Sequence, residues 1–244
     1  MKIDNSRAQA FRTCPDKYKE RYINNLEKDW HSDASPFEFG RRMHQLLEER
    51  LLALNGDDYS SPYPASESET IELECQSTLA AYNAHWPSEP FDVVAAEQVF
   101  AVAIPGTEHV YTGKFDAVIR YNKAEPVYDG QLAILEHKTE KRNALKNLPE
   151  AWAARSQVSL YVWAAERLYG ERPRHILLDV LRRASEKGRE PATFFRDILE
   201  RTVEQSEAAI NDLVYVADAI EYLESHWDVE RWPQNTNECC IGRW

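Results

Sequence analysis

The chain has 244 residues, 43% hydrophobic and 29% charged, with a formal net charge of −12. That apolar content supports a packed core and excludes disordered or collagen-like sequence, and no run approaches the roughly 18 apolar residues of a membrane span. Met1 to Cys14 has no apolar stretch behind a basic flank, and four cysteines are too few for a disulfide framework at this size, so a cytoplasmic protein without membrane contact is expected.

In chain order, residues 6–29 read as a helix, with Phe11, Tyr18, Tyr22 and Leu26 at helical spacing. Residues 39–54 carry Met43, Leu46, Leu47, Leu51 and Leu54 on an amphipathic face closed by Asn55-Gly56. Ser60 to Pro64 punctuates a loop, and an acidic helix follows over 69–86, ending before Pro87. From Phe91 the period changes. Residues 93–104 and 110–121 read as strands parted by Pro105-Gly106, and after the Asp129-Gly130 turn a third strand covers 132–139. Three strands with short connections predict an antiparallel meander. Pro149 opens a helix that runs to Tyr169 and closes at Gly170. A strand over 174–181 and a helix over 202–227 complete the order, which is that of a mixed α/β layer fold. The expected organisation is one domain over residues 1–244, with a helical part at 1–90, a core at 91–182 and a helical part at 190–244.

The net charge argues against a polyanionic partner, but its distribution does not. Residues 138–189 hold twelve Lys and Arg against six Asp and Glu. A local basic face on an acidic protein can still meet phosphates. A solvated helix face is the alternative.

Four short motifs carry candidate chemistry. In Glu136-His137-Lys138, the strand period of two puts Glu136 and Lys138 on one face about 7 Å apart, with Ile134 on that face too. Such a pair is costly to bury unless it shares a task, although chance supplies about one Glu-x-Lys in a chain of this length. Gly113-Lys114-Phe115-Asp116 lies on the preceding strand, so a meander can bring Asp116 beside Glu136 across about 4.8 Å. Adjacent carboxylates repel unless a divalent cation neutralises them, and hard oxygen donors suit Mg²⁺ or Mn²⁺. Gln157 and Tyr161 share a helix face at i, i+4, where Tyr161 could equally be core. His44 follows Gly40 by four residues in the early helix.

The order Gly-x-x-x-His, Gly-x-x-Asp, Glu-x-Lys, Gln-x-x-x-Tyr resembles the RecB-like branch of the PD-(D/E)xK nuclease superfamily, which includes Cas4-type nucleases and phage exonucleases. Cys14-Pro15-x-Lys17-Tyr18 adds to the likeness. The resemblance implies a restriction-endonuclease-like α/β core of about four to five strands and a metal-dependent deoxyribonuclease, chiefly an exonuclease, acting in recombination, repair or end processing. It implies metal ligation by His44, Asp116, Glu136 and the main-chain carbonyl of His137, and catalysis by Lys138 with Glu136 and Asp116. Gln157 and Tyr161 would lie near DNA, with Lys141 and Arg142 on the phosphate track, and Glu97 would be an accessory acid. The implied substrate is DNA ends or single strands, with a recombination or helicase partner in prospect. Some members of the branch hold a [4Fe–4S] cluster through four cysteines. Here Cys14 fits the first position, the end offers Cys239 and Cys240, and Cys75 lies in the acidic helix, so a cluster is the lesser reading. The competing reading is a catalytically silent DNA-binding or partner-docking subunit.

Overall fold

In the computed structural model, residues 1–26, 35–56, 64–140, 148–184, 191–228 and 231–235 are described. Two expected helices are each divided by an extended residue. Cys14 is extended (φ −167°, ψ 119°), so the first segment becomes α1 (Asn5–Thr13) and α2 (Pro15–Tyr22). Proline disfavours the α conformation in the residue before it and suits the first helical turn. Arg155 (φ −80°, ψ 133°) likewise separates α5 (Leu148–Ala153) from α6 (Ser156–Tyr169), which ends at Gly170 with φ 66°. The other helices match expectation closely: α3 (Ser35–Leu54), α4 (Glu69–His85) and α7 (Val203–His226).

Six strands are present among the described residues. β2 (Phe91–Ala103), β3 (Val110–Tyr121), β4 (Leu132–Glu140) and β5 (Ile176–Arg182) fall close to the expected strands, β4 and β5 as short runs buried on both faces. β1 (Lys2–Ile3) and β6 (Thr193–Leu199) were not anticipated. Two residues carry no readable period, and β6 disguises its inward face by burying Arg196. β3 and β4 are antiparallel, with Ala117 opposite Leu135, and β2 also pairs with β3. β5 returns parallel to β4, with Glu136 beside Leu178 and His137 beside Asp179, and β6 runs antiparallel to β5. The sheet is therefore mixed.

The chain packs as two compact units. In the unit of residues 32–98 and 114–201, Leu51 of α3 packs with Phe91, Ala117, Ile119, Leu135 and Leu177. A second cluster joins Phe39, Met43, Leu46 and Leu47 of α3 to Ile71, Cys75 and Tyr82 of α4. Burying each large apolar side chain contributes about 1.5–3 kcal/mol. α6 buries Val158, Leu160, Tyr161, Val162 and Trp163. In the unit of residues 1–31, 99–113 and 202–244, α1 packs on α7 and Arg12 pairs with Asp212. β1 pairs with the start of β3, and the Met1 ammonium donates to Glu221 at 2.8 Å. α7 begins with a reciprocal cap between Thr202 and Gln205, which satisfies two of its exposed N–H groups.

Candidate active site

Close backbone approach explains two of the motif glycines. A Cβ on Gly40 would lie 3.1 Å from Thr139 Oγ1, so glycine lets α3 come down onto β4. One turn later the same helix presents His44, whose Nδ1 is 3.6 Å from Asp116 Oδ1. A Cβ on Gly113 would meet the Phe100 ring at 2.5 Å, inside any tolerable contact. Three residues on, Asp116 is 8% exposed. The spacings are thus those of a close contact followed by a residue that faces the candidate site.

Continuing the register past Ala117–Leu135 sets Asp116 opposite Glu136. There the N–H of His137 donates to Asp116 Oδ2 at 2.8 Å, a side chain taking the place of a strand carbonyl. Lys138 Nζ is 2.7 Å from Glu136 Oε1, the same-face pair that strand period requires. The Gln157 amide donates to that oxygen at 3.2 Å. Tyr161 donates to the Lys114 carbonyl at 2.8 Å and packs edge-on to Phe115, with ring centroids 5.2 Å apart. The i, i+4 pair on α6 therefore reaches both β4 and β3.

Glu97 completes the constellation through a backbone irregularity. Buried positions of β2 are Phe91 and Val93 before it and Phe100 and Val102 after it, so the pleat slips by one residue. Glu97 itself has φ 47°, a left-handed conformation that costs a non-glycine residue about 1–3 kcal/mol. Such a slip marks a β-bulge, which re-aims a side chain. The sequence carried its trace in the odd-to-even change of the buried apolar residues. Glu97 pairs with Lys114, and His44, Glu97 and Asp116 each offer a ligand atom within 4.8 Å of the others.

The electrostatics fit a cation site. Burial would raise Asp116, but His44 and Lys138 hold it ionised, well below the usual carboxylate range. Burial opposes charge on His44 too, yet Asp116 raises its pKa above the ordinary value. Burial and then the charge of Asp116 push Glu136 up to about 7. Glu136 Oε2 is buried and has no hydrogen-bond partner among the described residues. An unpartnered buried carboxylate oxygen near the His44, Glu97 and Asp116 group is a donor set that suits a hard divalent ion. For Lys138 burial favours the neutral amine, but Glu136 and Asp116 outweigh it and raise the pKa.

His137 turns to the other face of β4, where its Nε2 is 3.9 Å from Asp179 and burial pushes it down to about 4. Lys141 and Arg142, expected on the phosphate track, lie outside the described residues, as do Cys239 and Cys240. Cys14 is buried and its Sγ accepts from the Asn235 N–H at 3.4 Å. Cys75 is buried beside the Phe39 carbonyl, and burial pushes its thiol up to about 12, away from the thiolate a cluster needs.

The family profile described as the PD-(D/E)XK nuclease superfamily matches residues 5–241. A crystal structure of a candidate exonuclease from Eubacterium rectale is similar in fold, with a TM-score of 0.59 at 12% identity over 99% of this chain and 88% of that one. An alkaline exonuclease from Laribacter hongkongensis aligns over 92% of both chains at 15% identity, with a TM-score of 0.34. No curated protein matches significantly. The mixed sheet flanked by helices is a restriction-endonuclease-like α/β fold, as the motifs implied. No helix among the described residues is long and apolar enough to cross a membrane.

Proposed function

The chain belongs to the PD-(D/E)XK nuclease superfamily, and from that premise we propose that it is a metal-dependent deoxyribonuclease of the RecB-like branch, working as an exonuclease on DNA ends or single strands in the cytoplasm. The observation that carries the reading is the convergence of His44, Glu97 and Asp116 within 4.8 Å, beside the Glu136–Lys138 pair. His44, Glu97, Asp116, Glu136 and the main-chain carbonyl of His137 would hold Mg²⁺ or Mn²⁺, which supplies Lewis-acid polarisation of a phosphoryl oxygen and an acidified water.

The chain's own residues supply the rest. Lys138 carries donor protons 2.7 Å from Glu136 and is placed to orient the attacking water and to stabilise charge as the phosphodiester opens. Gln157 fixes one oxygen of Glu136, which directs the other toward the ion site. Tyr161, tied to the Lys114 carbonyl, holds the strand that carries Asp116. Lys141 and Arg142 follow the active strand in sequence and suit backbone phosphates, which are contacts that position DNA without reading bases.

The test is digestion of 5′- and 3′-labelled single- and double-stranded oligonucleotides with Mg²⁺, with Mn²⁺ and with chelator. The expected result is metal-dependent release of short products from ends. Lys138→Ala should lower the rate by about 10²–10⁴-fold with DNA binding retained. A wild-type chain that degrades no DNA with either ion would leave the silent DNA-binding subunit as the reading.

A further inference from the structure

The break between α5 and α6 places two cations on one indole. Lys138 Nζ lies 4.7 Å from the centroid of the Trp152 ring, and the guanidinium carbon of Arg155 lies 4.2 Å from it. Both distances are inside the ~6 Å reach of a cation–π contact. Trp152 is only 4% exposed, so the ring is a fixed plate rather than a mobile surface group. Arg155 is exposed, and its side chain makes no capping bond to the helix it precedes.

Like charges gathered on one ring repel. Lys138 is neutralised by Glu136 at 2.7 Å, and its charge and that of Arg155 act on one another. A guanidinium packed over an aromatic face can keep N–H groups available, and its planar edge matches the oxygens of a phosphate. The carboxylate of Glu140, at the end of β4, lies in the field of both cations and offsets part of their repulsion, and the exposed Arg155 can still meet a further anion beside the Glu136–Lys138 strand.

We infer that Arg155, laid on Trp152, binds a non-scissile phosphate of the DNA strand entering the site, and that Trp152 is a positioning residue for both Arg155 and Lys138. The inference rests on the nuclease reading for its substrate, but its test does not need cleavage. Phosphate recognition at this point would be independent of base sequence and would hold the strand in line with the reacting centre.

Binding of a fluorescein-labelled oligothymidylate, followed by anisotropy at rising salt in the presence of chelator, reads the subsite directly. Arg155→Ala should raise Kd roughly tenfold, the loss of one charge-assisted contact. It should also reduce the slope of log K against log salt by about 0.7. Trp152→Leu should reproduce that change, and combining it with Arg155→Ala should weaken binding no further. In cleavage assays Arg155→Ala should raise KM with kcat kept, whereas Trp152→Leu should also lower kcat through Lys138. Trp152→Phe, which keeps an aromatic face, should restore both, and it carries the test with Arg155→Ala should the leucine variant fail to fold. Wild-type Kd and salt slope in Arg155→Ala overturn the subsite, as do additive losses in the double variant or a wild-type chain that does not bind the probe. A chain that binds the probe through Arg155 yet cleaves nothing sinks the nuclease reading and keeps the subsite.

Discussion

Replacing Arg196 by methionine should cost about 3–5 kcal/mol of folding stability, the loss expected when one partner of a buried ion pair is removed. Arg196 donates to Asp179 at 2.9 Å, to both oxygens of Glu89 at 2.6 and 2.9 Å, and to Tyr82 at 2.9 Å, and it stacks 4.2 Å from the Trp86 ring. Both acids are sealed from water, Asp179 at 0% and Glu89 at 2% side-chain exposure. Without Arg196, Glu89 keeps Arg50 at 2.7 Å, but Asp179 keeps only the Tyr82 hydroxyl at 2.5 Å and a His137 ring at 3.9 Å. One buried carboxylate is thus left without a cation, while methionine fills much of the lost volume, so the penalty is electrostatic rather than a cavity. At about 2–4 °C per kcal/mol, the melting temperature should fall by roughly 6–20 °C. Urea unfolding followed by tryptophan fluorescence measures the loss. Adding Asp179→Leu should recover part of it, because removing both charges avoids the unpaired one. A cost below about 1 kcal/mol for Arg196→Met, or no recovery in the double variant, would refute the reasoning.

Glu97→Gln should weaken Mn²⁺ binding roughly 10–100-fold, the range for loss of a supporting group at a metal site, with calorimetric titration as the measure; unchanged affinity would remove Glu97 from the ion site. His175 is fully buried and burial, then Arg174, pushes it down to about 4, so its neutral form stabilises the fold fully above pH 6.5 and that stability is lost as pH falls toward 4. Its share is about 3 kcal/mol, and His175→Gln, which can keep a hydrogen bond with the Tyr121 hydroxyl, should remove that share from the stability–pH curve measured by urea midpoint; curves of equal steepness for variant and wild type would contradict it. Gly113→Ala should cost about 1–3 kcal/mol by forcing a methyl into the Phe100 ring, and Phe100→Leu in that background should relieve it. A wild-type unfolding midpoint for Gly113→Ala would show that the ring yields freely.

Much of the fold was legible in the chain because period and punctuation are local. The alternation in Val110–Tyr121, the short apolar run that opens Leu132–Glu140, the proline and glycine at the ends of helices, and the same-face placement of Glu136 and Lys138 all follow from backbone geometry that any stretch of residues obeys. The four spaced motifs also singled out His44, Asp116, Glu136 and Lys138, which the fold brings close to one another. What escaped was set by contacts distant in sequence. β6 could not be read, since Arg196 looks like a surface residue until Asp179 and Glu89 surround it. The division at Arg155 could not be read either, because the helical pattern runs through it and Arg201 takes the Ala153 carbonyl from the far side of β6. Glu97 reaches His44 and Asp116 through a bulge of β2 whose positive φ the sequence does not announce. Residue type and spacing therefore determined which groups could act and on which element each would stand. Tertiary packing decided which of them lie close together in one candidate cation site, because a charge's partners, its burial and the aim of a bulged side chain are properties of neighbours that the linear order does not place side by side.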